Sequence, residues 1–184
     1  MERVLGLPKC NVHIVSVAGS FYEETWRERA HKFYVIKPEN YHVASKALAE
    51  NCSRSDIYVV MDDDQLLYGQ DFLSKGEEVL RSHPQYGMLS AHSINRDEVP
   101  CGAKDLPDCD ADVWRSDSIG CPYFVRKGII TVWPDVPPLQ FDTLLTKHIL
   151  EKDYLTGFFH NVRYNHIGSH FSQLGKEHGF GWLA

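Results

Sequence analysis

The stretch Ile57-Tyr58-Val59-Val60-Met61-Asp62-Asp63-Asp64 decides how this chain is read. A short apolar run rich in β-branched residues leads straight into consecutive acids. Such a run has the length and composition of a buried strand. In an open α/β sheet, ligands bind beyond the carboxyl ends of the strands, and that is where these acids fall. Side chains alternate along an extended chain, so Asp62 and Asp64 can point to the same side. Two carboxylates held close repel each other, and one is pushed toward its neutral form. A divalent cation removes that conflict, and oxygen donors suit Mg²⁺, Mn²⁺ or Ca²⁺. The plainer alternative is a solvated acidic turn in which Asp64 caps a helix.

Upstream, residues 12–18 form another apolar, β-branched run, stopped by Gly19-Ser20. They predict a first strand. Tyr22, Trp26, Ala30 and Phe33 recur at helical spacing. Residues 33–36 predict a second strand, ended near Pro38, and Val43, Ala44, Ala47 and Leu48 mark a second helix ending around Asn51. Downstream, Phe72, Leu73, Gly76, Val79 and Leu80 form an amphipathic helix closed before Pro84, followed by a strand over 86–91. Strands alternating with helices predict an α/β domain, with a mostly parallel central sheet flanked by helices. Residues 93–118 are rich in Asp, Pro, Gly and Cys and lack periodicity, so they predict a long loop. Residues 122–126 predict a strand. Phe141, Leu144, Leu145, His148 and Ile149 make a helical stripe, and 157–166 reads as extended. No repeat or boundary divides the chain, which predicts a single compact domain over 1–184.

Composition narrows the function. The 184 residues carry 19 Lys+Arg against 25 Asp+Glu, a formal charge of −6. That excludes a protein that grips nucleic acid through its phosphates. Apolar residues at 43% and charged residues at 24% are ordinary for a globular domain. No apolar run approaches the roughly 20 residues a membrane helix needs, and the first residues lack a signal peptide's apolar stretch. The five cysteines, Cys10, Cys52, Cys101, Cys109 and Cys121, are odd in number and include no CxxC pair. Reduced thiols in a cytoplasmic protein are the expectation, although Cys101 and Cys109 can pair across their loop.

The segment 44–66, with Ala47, Leu48, Asp56 and then Val59-Val60-Met61-Asp62-Asp63-Asp64, resembles the glycosyltransferase family 2 pattern, a helix leading into a strand that ends in a DxD motif. Three later stretches resemble the family in the same order. These are Ile119-Gly120-Cys121-Pro122-Tyr123-Phe124-Val125-Arg126-Lys127, Gln140-Phe141-Asp142-Thr143-Leu144-Leu145 and Tyr164-Asn165-His166-Ile167-Gly168-Ser169. The chain departs from the pattern at Gln140, which replaces the first acid of a Glu-Asp pair. It departs again at Lys37-Pro38-Glu39-Asn40, where an acid usually follows the second strand.

The resemblance implies a GT-A, Rossmann-like fold, with a nucleotide-binding half over about 1–92 and an acceptor- and metal-closing half over about 93–184. It implies a metal-dependent transferase that moves a sugar from a nucleoside diphosphate sugar, UDP first, to a hydroxyl of a glycan, glycoprotein or other acceptor, with inversion. Asp64 would ligate Mn²⁺ or Mg²⁺ directly, and Asp62 would assist through water or meet the ribose. His166 would add a nitrogen ligand, with His170 the second choice. Ala18, Lys46, Asp62, Asp63 and Gly120 would line the nucleotide. Asp142 would be the general base. It stands near a helix N-terminus, where the helix field favours the ionised carboxylate; a simple cap after Pro137-Pro138 is its other reading.

Lys46 and Arg126 are candidates for phosphate, and Trp114 and Tyr123 for stacking on a sugar or for the core. The 93–118 loop would act as a lid or acceptor element. An isolated zinc site at His166 and His170 lacks the Glu of HExxH. A DxD phosphatase lacks its later acidic element, and a nucleotidyltransferase lacks a glycine-rich basic loop at 19–24. A GT-A-like module that binds nucleotide or sugar without catalysis is the non-enzyme alternative.

Overall fold

The structure is a computed structural model. It describes residues 13–17, 27–28, 32–36, 55–61, 65–69, 71–93, 103–104, 112–131 and 138–166. The helical patterns around 22–30 and 43–51 lie outside the described residues, apart from Arg27 and Glu28. Strands β1 (His13–Val17) and β2 (Lys32–Ile36) pair in parallel as a two-stranded sheet, from His13 opposite Lys32 to Val17 opposite Ile36. Both strands match the expectation from their β-branched runs.

The larger sheet is built from β3 (Ile57–Val60), β4 (Gln65–Leu67), β5 (Tyr86–Ser93), β6 (Ala103–Lys104), β7 (Val113–Ser116), β8 (Tyr123–Arg126) and β9 (Leu155–His166). Helix α1 (Phe72–Ser82) connects β4 to β5, and α2 (Pro138–Leu150) precedes β9. The strand order is β3-β8-β5-β9-β7-β6, with β4 also paired to β9.

This sheet is mixed, not mostly parallel. Strands β3 and β5 run the same way, as a helical crossover requires. They are not neighbours, however, because β8 lies between them and is antiparallel to both. The β5–β9 pair is parallel, whereas β4–β9, β6–β7 and β7–β9 are antiparallel. The alternation of strands and helices fixes the direction of β3 and β5 but not what is inserted between them. The expected loop at 93–118 also needs correction, since it contains β6 and β7. Val113 and Ser116 are fully buried there, but strands this short show no period in sequence.

The helices cover opposite faces of the sheet. On α1, Phe72, Gly76 and Leu80 are buried at spacings of four. Phe72 and Leu80 belong to a cluster with Ile57, Leu89, Val113, Phe124 and Phe159. Phe124 and Phe159 meet edge to face at 5.1 Å. Gly76 is required here, because a Cβ on it would stand 2.4 Å from the Phe124 ring. On the other face Leu145 and Ile149 of α2 pack with Tyr58, Met88, Tyr123 and Val125. The strand alternation explains the split: Ile57, Leu89 and Phe124 face α1, while Tyr58, Met88, Tyr123 and Val125 face α2.

Two ends of this framework correct earlier expectations. Arg126 stands at the start of β3, away from its carboxyl end. It pairs with Ile57 there, and its guanidinium donates to the carbonyls of Leu80, His83 and Tyr86. It thereby satisfies carbonyls that the end of α1 leaves open, and its burial pushes its pKa down. Nearby, Arg81 makes a two-pronged ion pair with Asp56 at 2.8 and 3.0 Å, which holds that carboxyl at about 2. Helix α2 begins at Pro138, ahead of the expected stripe. Proline suits a first turn, whose N–H groups have no intrahelical partner. Asp142 therefore lies in the second turn and is not the cap. No helix among the described residues is long and apolar enough to cross a membrane.

Candidate functional site

One row of paired residues crosses the sheet just below its carboxyl rim. Val60 pairs with Tyr123, Tyr123 with Ser90, Ser90 with Phe158, and Phe158 with Trp114. Directly paired residues share a face, and Tyr123 puts this one on the α2 side. Above the row, residues 119–122 cross from β7 to β8. The Cys121–Pro122 peptide bond is cis.

Three elements tie this crossing down. Ala91 N–H donates to the Pro122 carbonyl at 2.9 Å. The Ser90 hydroxyl lies within hydrogen-bond reach of the carbonyls of Gly120, Ala91 and Pro122. The Cys121 thiol donates to the Val60 carbonyl at 3.2 Å. From β4, the buried Gln65 side chain donates through Nε2 to the Cys121 carbonyl at 2.9 Å. A loop held this way is a rigid edge, the kind of support a binding site needs.

Asp142 reaches the same edge from α2. Its Oδ2 stands 3.5 Å from the position a Cβ would take on Gly120. Gly120 and Asp142, both singled out from sequence, are therefore neighbours. The half-buried carboxylate stands over the crossing, and the backbone carbonyl of Asp142 accepts the Thr146 hydroxyl at 2.7 Å. Tyr123, by contrast, is fully buried core, and of the two aromatic candidates only Trp114 is partly exposed.

The opposite wall is the β4–β9 pair. Gln65 lies across from His166, Leu66 from Asn165 and Leu67 from Tyr164. This register sets the backbone of His166 against the residue that follows Asp64 in the chain. Asp62, Asp63, Asp64, Ala18, Lys46 and His170 lie outside the described residues. Among the described residues, no group of three or more His, Cys, Asp or Glu side chains is arranged to hold a metal ion.

Gln65, Ser90 and Cys121 hold the site together and were not singled out as site residues. Two of them left a signal. Ser90 is an isolated hydroxyl in the apolar run Met88-Leu89-Ser90-Ala91, and Gln65 is a polar residue opening an apolar pair straight after the acids.

No protein family and no curated protein matches the chain by sequence. Solved structures do match its fold. TarS 1–349 of S. aureus in complex with UDP superimposes with a TM-score of 0.58 at 13% identity, covering 89% of this chain and 53% of that one. A second structure of TarS 1–349 gives 0.58 at 12% identity with the same coverage. The fold is GT-A-like. A197 from STIV is also similar, with a TM-score of 0.51 at 12% identity over 84% of this chain and 85% of that one. The chain spans about half the length of the TarS structures it matches, at 53%.

Proposed function

We infer that the carboxyl rim of this GT-A-like domain binds a nucleoside diphosphate sugar, UDP-sugar first. The observation that carries this reading is the meeting of Asp142 with the Gly120–Pro122 crossing beside the end of β3. The fold is similar to that of TarS solved with UDP. In this reading Gly120, Ala18, Lys46, Asp62 and Asp63 line the nucleotide. Asp62, Asp64 and His166 form the donor set for Mn²⁺ or Mg²⁺, since two carboxylates and an imidazole suit such cations. When bound, that cation neutralises the charge of the diphosphate. The β4–β9 register supports the set, because it brings His166 alongside the residue next to Asp64.

Titration calorimetry with UDP, GDP and dTDP, each with and without Mn²⁺, tests the reading. Metal-dependent binding of one of them is expected; binding of none would end it.

A second reading adds catalysis, and the position of Asp142 favours it. A carboxylate in the second turn of α2 is not used as a cap, yet it faces the rim. It would take the proton from an acceptor hydroxyl as that oxygen bonds to the anomeric carbon and the bond to the diphosphate breaks. Attack opposite the leaving group inverts the centre. Asp142→Asn is expected to keep nucleotide binding and lose transfer by about 10²–10⁴-fold. Undiminished transfer in a radiolabelled-donor assay would remove Asp142 from this role, and no transfer by the native protein would leave a binding module.

A further inference from the structure

We propose that Trp114 and His160 form a carbohydrate platform on the acceptor side of the rim. Trp114 lies on β7 and is only partly buried; among the described residues it belongs to neither apolar cluster. A large aromatic side chain that the core does not use, placed at a sheet's ligand-binding end, needs another explanation.

Its neighbours are polar and ordered. The His160 ring packs against it at 4.0 Å between centroids, tilted by 50°. The His92 ring meets it edge to face at 5.1 Å. His92 is itself buried and hydrogen-bonded to the Arg163 guanidinium. The backbone of His160 is fixed by its N–H bond to the Asp112 carbonyl at 3.0 Å.

One polar atom of this group stands out. Among the described residues, His160 Nε2 is shielded from solvent and has no hydrogen-bond partner, an arrangement that folded proteins rarely leave in place. A hydroxyl-bearing ligand on the platform supplies the missing partner after a small rotation of the ring. A flat aromatic face beside imidazole and guanidinium groups suits a pyranose: the ring's C–H face stacks, and its hydroxyls meet the polar groups.

Position gives the platform its role. Trp114 is in the same row as Ser90, whose hydroxyl reaches the Gly120 carbonyl. Two strand spacings separate β5 from β7, about 10 Å. The platform therefore lies on the same face as Asp142, on the side of β5 away from β3. The word acceptor rests on the nucleotide-sugar reading of the rim; binding of a saccharide does not.

The test uses saturation-transfer NMR and titration with methyl β-D-glucopyranoside, methyl β-D-galactopyranoside and N-acetylglucosamine, alongside UDP calorimetry with Mn²⁺. Native protein is expected to bind at least one saccharide. Trp114→Leu and His160→Gln should each weaken it about tenfold, Trp114→Phe should retain most of it, and UDP binding should be unchanged in all three. If Trp114→Leu does not fold by circular dichroism, His160→Gln and Trp114→Phe decide. Saccharide binding absent from native protein, or unaltered in His160→Gln, overturns the proposal. So does a loss confined to UDP, which would make Trp114 a base-stacking residue. Saccharide binding that depends on Trp114 without any UDP binding upholds the platform and overturns the nucleotide reading alone.

Discussion

Gly76 shows how one residue sets the spacing of the whole α1 layer. Its missing side chain lets the helix approach the Phe124 ring, which is itself wedged against Phe159. Neither ring is the free end of a flexible chain, so an added methyl cannot be accommodated cheaply. Gly76→Ala is expected to destabilise the domain by about 1–3 kcal/mol in urea unfolding, even though alanine is the better helix former by about 1 kcal/mol. A more stable variant would show that α1 can move off the sheet. At this scale the sequence was partly legible. Gly76 fell on the apolar stripe with Phe72 and Leu80, but its contact with Phe124 joins two elements that are not neighbours in the sequence. Asp142 was legible by type and by its place before a stripe. Its neighbour Gly120 was legible only as a separate motif.

Among the elements, β3, α1, β5, β8, α2 and β9 follow from runs and stripes in the sequence. Each is long enough, or apolar enough, to carry its own period. Strands β4, β6 and β7 were missed because strands of two to four residues contain no period to read. Their partners select them: β9 supplies the edge for both β4 and β7. The length of β9 is what makes this possible, since it continues past a bulge between its pairings with Ser90 and His92. The β4 strand also carries the anchor for the crossing. Gln65→Ala removes the donor to the Cys121 carbonyl, and losing one such hydrogen bond costs about 0.5–1.5 kcal/mol. Guanidinium unfolding of Gln65→Ala should show that loss, whereas Gln65→Ala as stable as the native chain would make the amide dispensable.

For the whole molecule, the charge of −6 and the proposed anionic ligand stand in tension. A cation held by the acids at the end of β3 would reverse the local sign and draw phosphate to the rim. Binding to the folded state alone must raise stability, by about 2.7 kcal/mol at a ligand concentration one hundred times Kd. Thermal unfolding should therefore shift upward with UDP and Mn²⁺ together, and less with either alone. An unchanged midpoint at high UDP and Mn²⁺ would count against the rim as a nucleotide site. The features legible in the residues alone are local. They are the apolar strand running into the acids, the α1 and α2 stripes, the α/β class and the candidates Gly120, Asp142 and His166. These are legible because side-chain periodicity and residue chemistry are properties of short segments. Adjacency was supplied by folding. Folding inserted β8 between β3 and β5, put Arg126 at the start of β3, set His166 opposite Gln65 and brought Asp142 over Gly120. Strand pairing and side-chain packing join residues far apart in the chain, and no local pattern encodes which partners they will find.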